Sequence, residues 1–202
     1  MNEFSLKTWL LVGISFYIYS GSTSISVAET VTRSQAQPTQ IVTSISYNGQ
    51  EFLSSFNSVK SKTRLVLVFS PTWGHCLRGA SEVRQILQEL IDSELRVFVL
   101  WSPILPGDNR FAAEKATIYL NDPRVEHFWD LWSFGVNHFT KKFNYPEKEL
   151  AWDIFVLYSP GTEWILPGPD PDPYYWMQHR GLDIGPDYTK QELQVQIEKL
   201  LN

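Results

Sequence analysis

Leu65-Val66-Leu67-Val68-Phe69-Ser70-Pro71-Thr72-Trp73-Gly74-His75-Cys76-Leu77 decides the architecture of this chain. Leu65 to Phe69 is an unbroken apolar run, which fits a strand covered on both faces, as in a parallel sheet. Ser70 to Gly74 breaks it. Beyond the break, Leu77, Ala80, Val83, Leu87, Leu90 and Ile91 fall on one stripe. Arg78, Glu82, Gln85, Gln88 and Glu89 lie mostly away from it, so the spacing predicts an amphipathic helix. Arg96 to Trp101 is a second buried-type run. Strand, helix and strand in such close succession make a βαβ unit with parallel strands.

Upstream, Ile41 to Tyr47 alternates and predicts a strand. Asn48-Gly49 is a turn signal, and Phe52, Leu53, Phe56 and Val59 recur at helical spacing. Downstream, a helix is expected from Arg110 to Leu120 and stops at Asp122-Pro123. A short strand or extended segment comes next, from Arg124 to Trp129, in which Arg124 and Glu126 are expected to pair, and then a weaker helical stretch from Leu131 to Phe143. Ile154 to Tyr158 is a third buried run. Glu163 to Leu166 reads as its hairpin partner after the Ser159–Thr162 turn, and Pro167 to Pro173 as an irregular loop. Thr189 and Glu192 form a capping box before a last helix carrying Leu193, Ile197, Leu200 and Leu201. The fold class is α/β, a central mixed sheet flanked by helices, with an insertion before the third buried strand.

The N-terminal segment reads as an export signal. Lys7 precedes an uncharged stretch from Thr8 to Ala28 whose apolar centre runs from Trp9 to Tyr19. That centre is short for a bilayer span, and Ser26-Val27-Ala28 supplies small residues for cleavage. The expected organisation is a signal peptide over 1–28, a polar flexible leader over 29–40, and one domain over 41–202. The location is then periplasmic or secreted, with no stable membrane insertion after cleavage; the alternative is an uncleaved anchor. Among 202 residues, 43% are hydrophobic and 19% charged, a globular composition. The net charge of −5 argues against a nucleic-acid binder. The single cysteine, Cys76, excludes an intramolecular disulfide, a four-cysteine zinc site and a CxxC pair.

The element order and the Phe69–Leu77 block resemble thioredoxin-like proteins over roughly residues 40–201. Trp73-Gly74-His75-Cys76 looks like the Cys-Gly-His-Cys of protein disulfide isomerases with its first cysteine replaced by Trp. The blocks Asn121–Asp130 and Ala151–Gly161 are similar to those of a group of bacterial thioredoxin-like proteins. A shifted register aligns Trp73 with the Trp that precedes the thioredoxin motif. That register gives the cysteine positions to Gly74 and Leu77.

The resemblance implies that the first cysteine is the exposed nucleophile, stabilised as a thiolate by the helix start, and that the second is more buried. An indole cannot attack sulfur, so dithiol exchange within one chain is excluded. The resemblance also implies a cis-proline just before the third buried run, a position that falls at or near Asp153. Trp152-Asp153 stands there without proline, which puts the substrate-binding backbone of an active oxidoreductase in doubt. Three roles stay open for Cys76. It is an inert packed thiol, a monothiol site assisted by His75, or a soft-metal or haem-related contact with His75. Binding residues are expected at Trp73, Gly74, Trp152, Asp153 and Trp176, with Cys76 and His75 carrying any catalysis. No two-histidine metal spacing, Gly-rich phosphate loop or serine-triad order occurs, so neither metal nor cofactor is expected. His127, His138 and His179 read as surface or hydrogen-bonded histidines. The expected function is a redox-inactive module that binds a protein or peptide partner, a thiol-bearing one included. The alternative is a monothiol oxidoreductase or isomerase-like factor using Cys76.

Overall fold

The computed structural model describes residues 40–165 and 171–202. The expected signal peptide (1–28), the leader up to residue 39, and residues 166–170 of the expected hairpin strand and proline-rich loop lie outside the described residues. The elements run β1 (Val42–Ser44), α1 (Gln50–Ser58), β2 (Arg64–Phe69), α2 (Gly74–Glu89), β3 (Arg96–Trp101) and α3 (Arg110–Ala116). A 3-10 turn (Thr117–Leu120) continues α3, and β4 (Val125–Trp129), α4 (Phe134–Lys142), β5 (Ile154–Tyr158), β6 (Tyr175–Gln178) and α5 (Lys190–Leu201) complete the chain.

The strands form one mixed sheet in the order β1-β4-β3-β2-β5-β6. β1, β4, β3 and β2 are mutually parallel, and β5 and β6 close the sheet antiparallel. The inserted unit of α3, the 3-10 turn and β4 places a strand between β3 and β1. Every residue of β2 and β5 is buried, which is why their sequences read as continuous apolar runs. Leu65, Leu67 and Phe69 face α2, α3 and α5, while Val66 and Val68 face α1 and α4. Each such side chain, fully buried, contributes about 1.5–3 kcal/mol against exposure.

Two features of the sheet ends depart from the sequence reading. The partner of β5 is β6, not Glu163–Leu166. Trp164 instead folds under α1, 1% exposed. Both backbone groups of Trp164 are held by the Asn57 amide: Trp164 N–H donates to Oδ1 at 2.9 Å and Asn57 Nδ2 donates to Trp164 O at 2.7 Å. Burying the indole outweighs continuing the hairpin. The expected Arg124–Glu126 pair does not form either. Arg124 pairs with Asp122 at 2.9 Å and donates to the carbonyls of Leu87 and Leu90, each at 2.6 Å. It thereby caps the end of α2, where unpaired carbonyls favour a cation. The ion pair holds the Asp122 carboxyl below its usual range. Glu126 accepts from Ser55.

The inserted β4 needs two buried polar fixings. His127, 2% exposed, accepts from Trp101 Nε1 at 3.1 Å through Nδ1. Its Nε2 faces Gln40 Oε1 at 2.8 Å. Burial lowers its pKa to about 4, so the ring is neutral. Asp130, fully buried at the end of β4, accepts from the N–H groups of Phe134 at 2.7 Å and Gly135 at 2.9 Å. It thus satisfies the first turn of α4. Of the expected capping box on α5 the N-cap half forms, Thr189 Oγ1 accepting from Glu192 N–H at 3.2 Å, while Glu192 Oε1 accepts from Gln196 Nε2 at 2.6 Å.

Candidate functional site

The carboxyl end of β2 delivers the chain into a tight turn. Ser70 Oγ accepts from the N–H groups of Thr72 at 3.3 Å and Trp73 at 3.1 Å, and donates to Asp108 at 2.9 Å. Thr72 Oγ1 donates to the same carboxylate oxygen at 2.5 Å. The other Asp108 oxygen accepts from Ile104 and Leu105 N–H. One carboxylate therefore locks the loop after β2 to the loop after β3.

That turn makes Trp73 the N-cap residue of α2, with no side-chain cap. Its indole is 39% exposed and stacks on His75, ring centroids 5.5 Å apart. Gly74 opens the helix, and a Cβ there would meet nothing within 4 Å. Cys76 lies in the first turn and is fully buried.

Across from α2, Asp153 stands immediately before β5 at φ 58°. That left-handed region is open to Asp more readily than to branched residues. Its N–H donates to Val68 O at 2.7 Å, extending the β2–β5 ladder. A proline in this place has no N–H to give, so the backbone here is tied inward. The Asp153 carboxylate is 1% exposed and bonds His179 Nδ1 at 2.8 Å. His179 in turn presents its ring edge to His75 at 5.9 Å and to Tyr188 at 4.4 Å.

Burial pushes the Cys76 thiol well above its ordinary value, and the Asp153 charge pushes the same way. A contact with the Ser70 backbone opposes both and is outweighed. A helix start alone favours thiolate. Here desolvation and a neighbouring anion win, because a buried charge costs more than a partial helix dipole returns. The sulfur keeps its proton beside the hydrogen-bonded Asp153–His179 pair.

The structure brings together Trp73, His75, Cys76, Asp153 and Trp152. Trp152 meets Trp73 edge-on at 6.1 Å and carries the Arg180 guanidinium over its ring at 5.1 Å. Trp176 stands apart. Its ring lies flat on Phe143 at 4.0 Å, close under Gly185, and has no ring contact with Trp73 or Trp152. The alternation along β6 explains this, since Trp176 pairs with Val156 and shares the α1–α4 face.

Sequence reasoning missed two members of the site. His179 was legible only as a hydrogen-bonded histidine. Gly79 carried a signal, being a glycine in a helix interior. A Cβ there would come within 2.8 Å of Phe155 and 3.2 Å of His179. The glycine lets α2 approach the β5–β6 end that holds Asp153. No group of three or more metal-ligating side chains occurs among the described residues.

The parallel strands, the antiparallel closing pair, and a helix that starts with Trp-Gly-His-Cys at the end of the central strand β2 settle the architecture. The fold is thioredoxin-like. No protein-family model and no curated protein matches the sequence. Among solved structures, the chain is similar to a secreted disulfide oxidoreductase of Mycobacterium tuberculosis homologous to E. coli DsbE. The identity is 11% over 71% of this chain and 85% of that one, with TM-score 0.45. It is also similar to a thioredoxin-like protein from Aeropyrum pernix, at 14% identity over 71% of this chain and 81% of that one, with TM-score 0.48. A third is the thioredoxin domain of a thiol-disulfide oxidoreductase from Bacteroides vulgatus, at 12% identity over 72% and 84%, with TM-score 0.44. The strand order, not these likenesses, carries the fold. No helix among the described residues is long and apolar enough to cross a membrane.

Proposed function

We propose that this chain is an exported thioredoxin-like module that has lost dithiol chemistry and binds a protein or peptide partner. The contact surface is the outer face of Trp73, His75 and Trp152, with Asp153 behind it. The observation that carries the reading is the contrast between neighbouring residues of one motif. The position at the helix start is an indole, 39% exposed, and the one cysteine is 0% exposed. Thiol–disulfide exchange needs an accessible thiolate; this site offers neither access nor a thiolate. It offers an aromatic surface at the mouth of a strand-to-helix turn, Trp73 stacked on His75 and met edge-on by Trp152. Lys7, the apolar Trp9–Tyr19 segment and Ser26-Val27-Ala28 support export.

Insulin reduction by dithiothreitol tests the chemistry. The protein is expected to leave the rate at that of dithiothreitol alone, and Cys76→Ser to change nothing. Turnover that disappears with Cys76→Ser would establish the monothiol oxidoreductase instead.

A further inference from the structure

Beside the Pro71–Thr72 stretch of the Trp73 loop, a groove of about 440 Å³ runs between α2 and the inserted α3. Pro71, Thr72 and Leu77 form one wall, and Ala112, Ala116, Ile118 and Tyr119 the other. Its origin is local. Asn109 caps α3 by accepting from Ala112 N–H at 3.0 Å. Ala112 and Ala116, one turn apart, then present no more than methyl groups to α2. The 3-10 turn adds Ile118 and Tyr119 at the far end.

The groove is open and apolar at once. Phe111, Ile118 and Tyr119 are 63%, 47% and 38% exposed, and Trp73 adjoins the Pro71–Thr72 wall. Single exposed apolar residues are ordinary, but a contiguous set around one depression marks a contact surface.

The charges at its edge select the occupant. Lys115 lines the groove, with its ammonium 4.2 Å from the Phe111 ring centroid. Arg84 reaches the same end, donating to Ile118 O at 3.3 Å. Neither has a carboxylate partner among the described residues. Of the nearby acids, Glu114 is ion-paired with Arg110 at 3.0 Å, while Asp108 is bonded only to neutral donors of Ser70, Thr72, Ile104 and Leu105, so the two cations exceed the unpaired acids by one. Two unpaired cations beside an apolar groove, on a chain of net charge −5, form a local field opposite to that of the whole molecule. Such a field favours a ligand of negative charge.

We propose that the groove between α2 and α3 receives an apolar side chain of an acidic polypeptide partner, whose carboxylates meet Arg84 and Lys115. The inference rests on the reading of this chain as a polypeptide-binding module. It extends that module's surface from Trp73 onto the inserted α3, giving the partner two adjoining contacts. The inserted unit then has a role in recognition as well as in widening the sheet.

The test uses the mature chain and two short fluorescein-labelled peptides, one alternating leucine with glutamate and one alternating leucine with lysine, read by anisotropy. The leucine–glutamate peptide is expected to bind saturably and at least tenfold more tightly than its lysine counterpart. Ala112→Glu places a carboxylate in the groove at a helix position that tolerates it, and is expected to weaken that binding tenfold or more with an unchanged circular dichroism spectrum. The pair Arg84→Glu and Lys115→Glu should reverse the preference between the peptides. Equal affinities, no binding, or binding indifferent to Ala112→Glu would overturn the groove. Binding lost with Trp73→Ala yet kept with Ala112→Glu would overturn it too, while leaving the Trp73 surface and the proposed function standing. A concentration-dependent dimer in sedimentation velocity that Ala112→Glu abolishes would assign the groove to a second copy of the chain and reject the acidic partner.

Discussion

Replacing His127 by asparagine should flatten the acid limb of the protein's stability. His127 is 2% exposed and neutral, its Nδ1 accepting from Trp101 and its Nε2 facing Gln40. Burial lowers its pKa from 6.5 to about 4. In the unfolded chain the same imidazole titrates near its ordinary value, so between these two values only the unfolded state takes up the proton. The stabilisation is therefore fully present above about pH 6.5 and is lost as pH falls through about 4. At about 1.4 kcal/mol per tenfold difference in proton affinity, the gap is worth ~3 kcal/mol in total, of which ~2.5 kcal/mol is gone by about pH 4.5. Against a typical domain stability of about 5–15 kcal/mol, that is large. Asparagine keeps an acceptor for the Trp101 N–H and does not titrate. Its own cost, from a looser fit and the lost Gln40 contact, is about 1–3 kcal/mol at neutral pH. Urea unfolding of both proteins at pH 7 and pH 4.5, monitored by tryptophan fluorescence, gives the test. The buried carboxylates titrate in both chains and cancel in the difference. The stability gap between wild type and His127→Asn should shrink or reverse at pH 4.5 by ~2.5 kcal/mol. A gap that does not move with pH would refute the neutral, buried imidazole and with it the polar fixing of β4.

The Cys76 thiol should react with a disulfide reagent only after denaturation, because both access and ionisation are blocked; rapid reaction of the native protein would contradict the buried site. Its raised pKa also has a sign. The stabilisation from a protonated Cys76 is complete below about pH 8.5 and is lost as pH rises through the folded value. Wild type should therefore lose more stability than Cys76→Ala between neutral and strongly alkaline pH, as urea midpoints would show. Trp73→Cys should form an internal disulfide with Cys76 under mild oxidant, seen as the loss of two hydrogens by mass spectrometry. Failure to form it would favour the shifted register, in which Gly74 holds the first position. The two glycines of α2 should behave oppositely. Gly74→Ala, with open space around its Cβ, should stabilise by about 0.4–1 kcal/mol in urea unfolding. Gly79→Ala, driven into Phe155 and His179, should cost about 1–3 kcal/mol.

Local pattern alone settles the strands β2, β3 and β5, the helices α1, α2, α3 and α5, and one piece of chemistry. Leu65–Phe69, Arg96–Trp101 and Ile154–Tyr158 read as buried strands because strands covered on both faces need no polar alternation, and the stripe from Leu77 to Leu87 places α2 between the first two. A single cysteine with Trp three residues before it excludes dithiol exchange without any coordinates. Contacts between residues distant in the chain settle the rest, and no window of sequence contains both partners. Trp164 leaves the expected hairpin because packing on Phe52 and Phe56 of α1 buries the indole almost completely. Arg124 turns from Glu126 to the end of α2 because unpaired carbonyls lie there. Trp176 goes to Phe143 because the register of β6 puts it on the other face. The state of Cys76 belongs to the same class: its helix start is written in the neighbouring residues, but the proton stays on sulfur because burial, and after it the charge of Asp153 far along the chain, act against the thiolate.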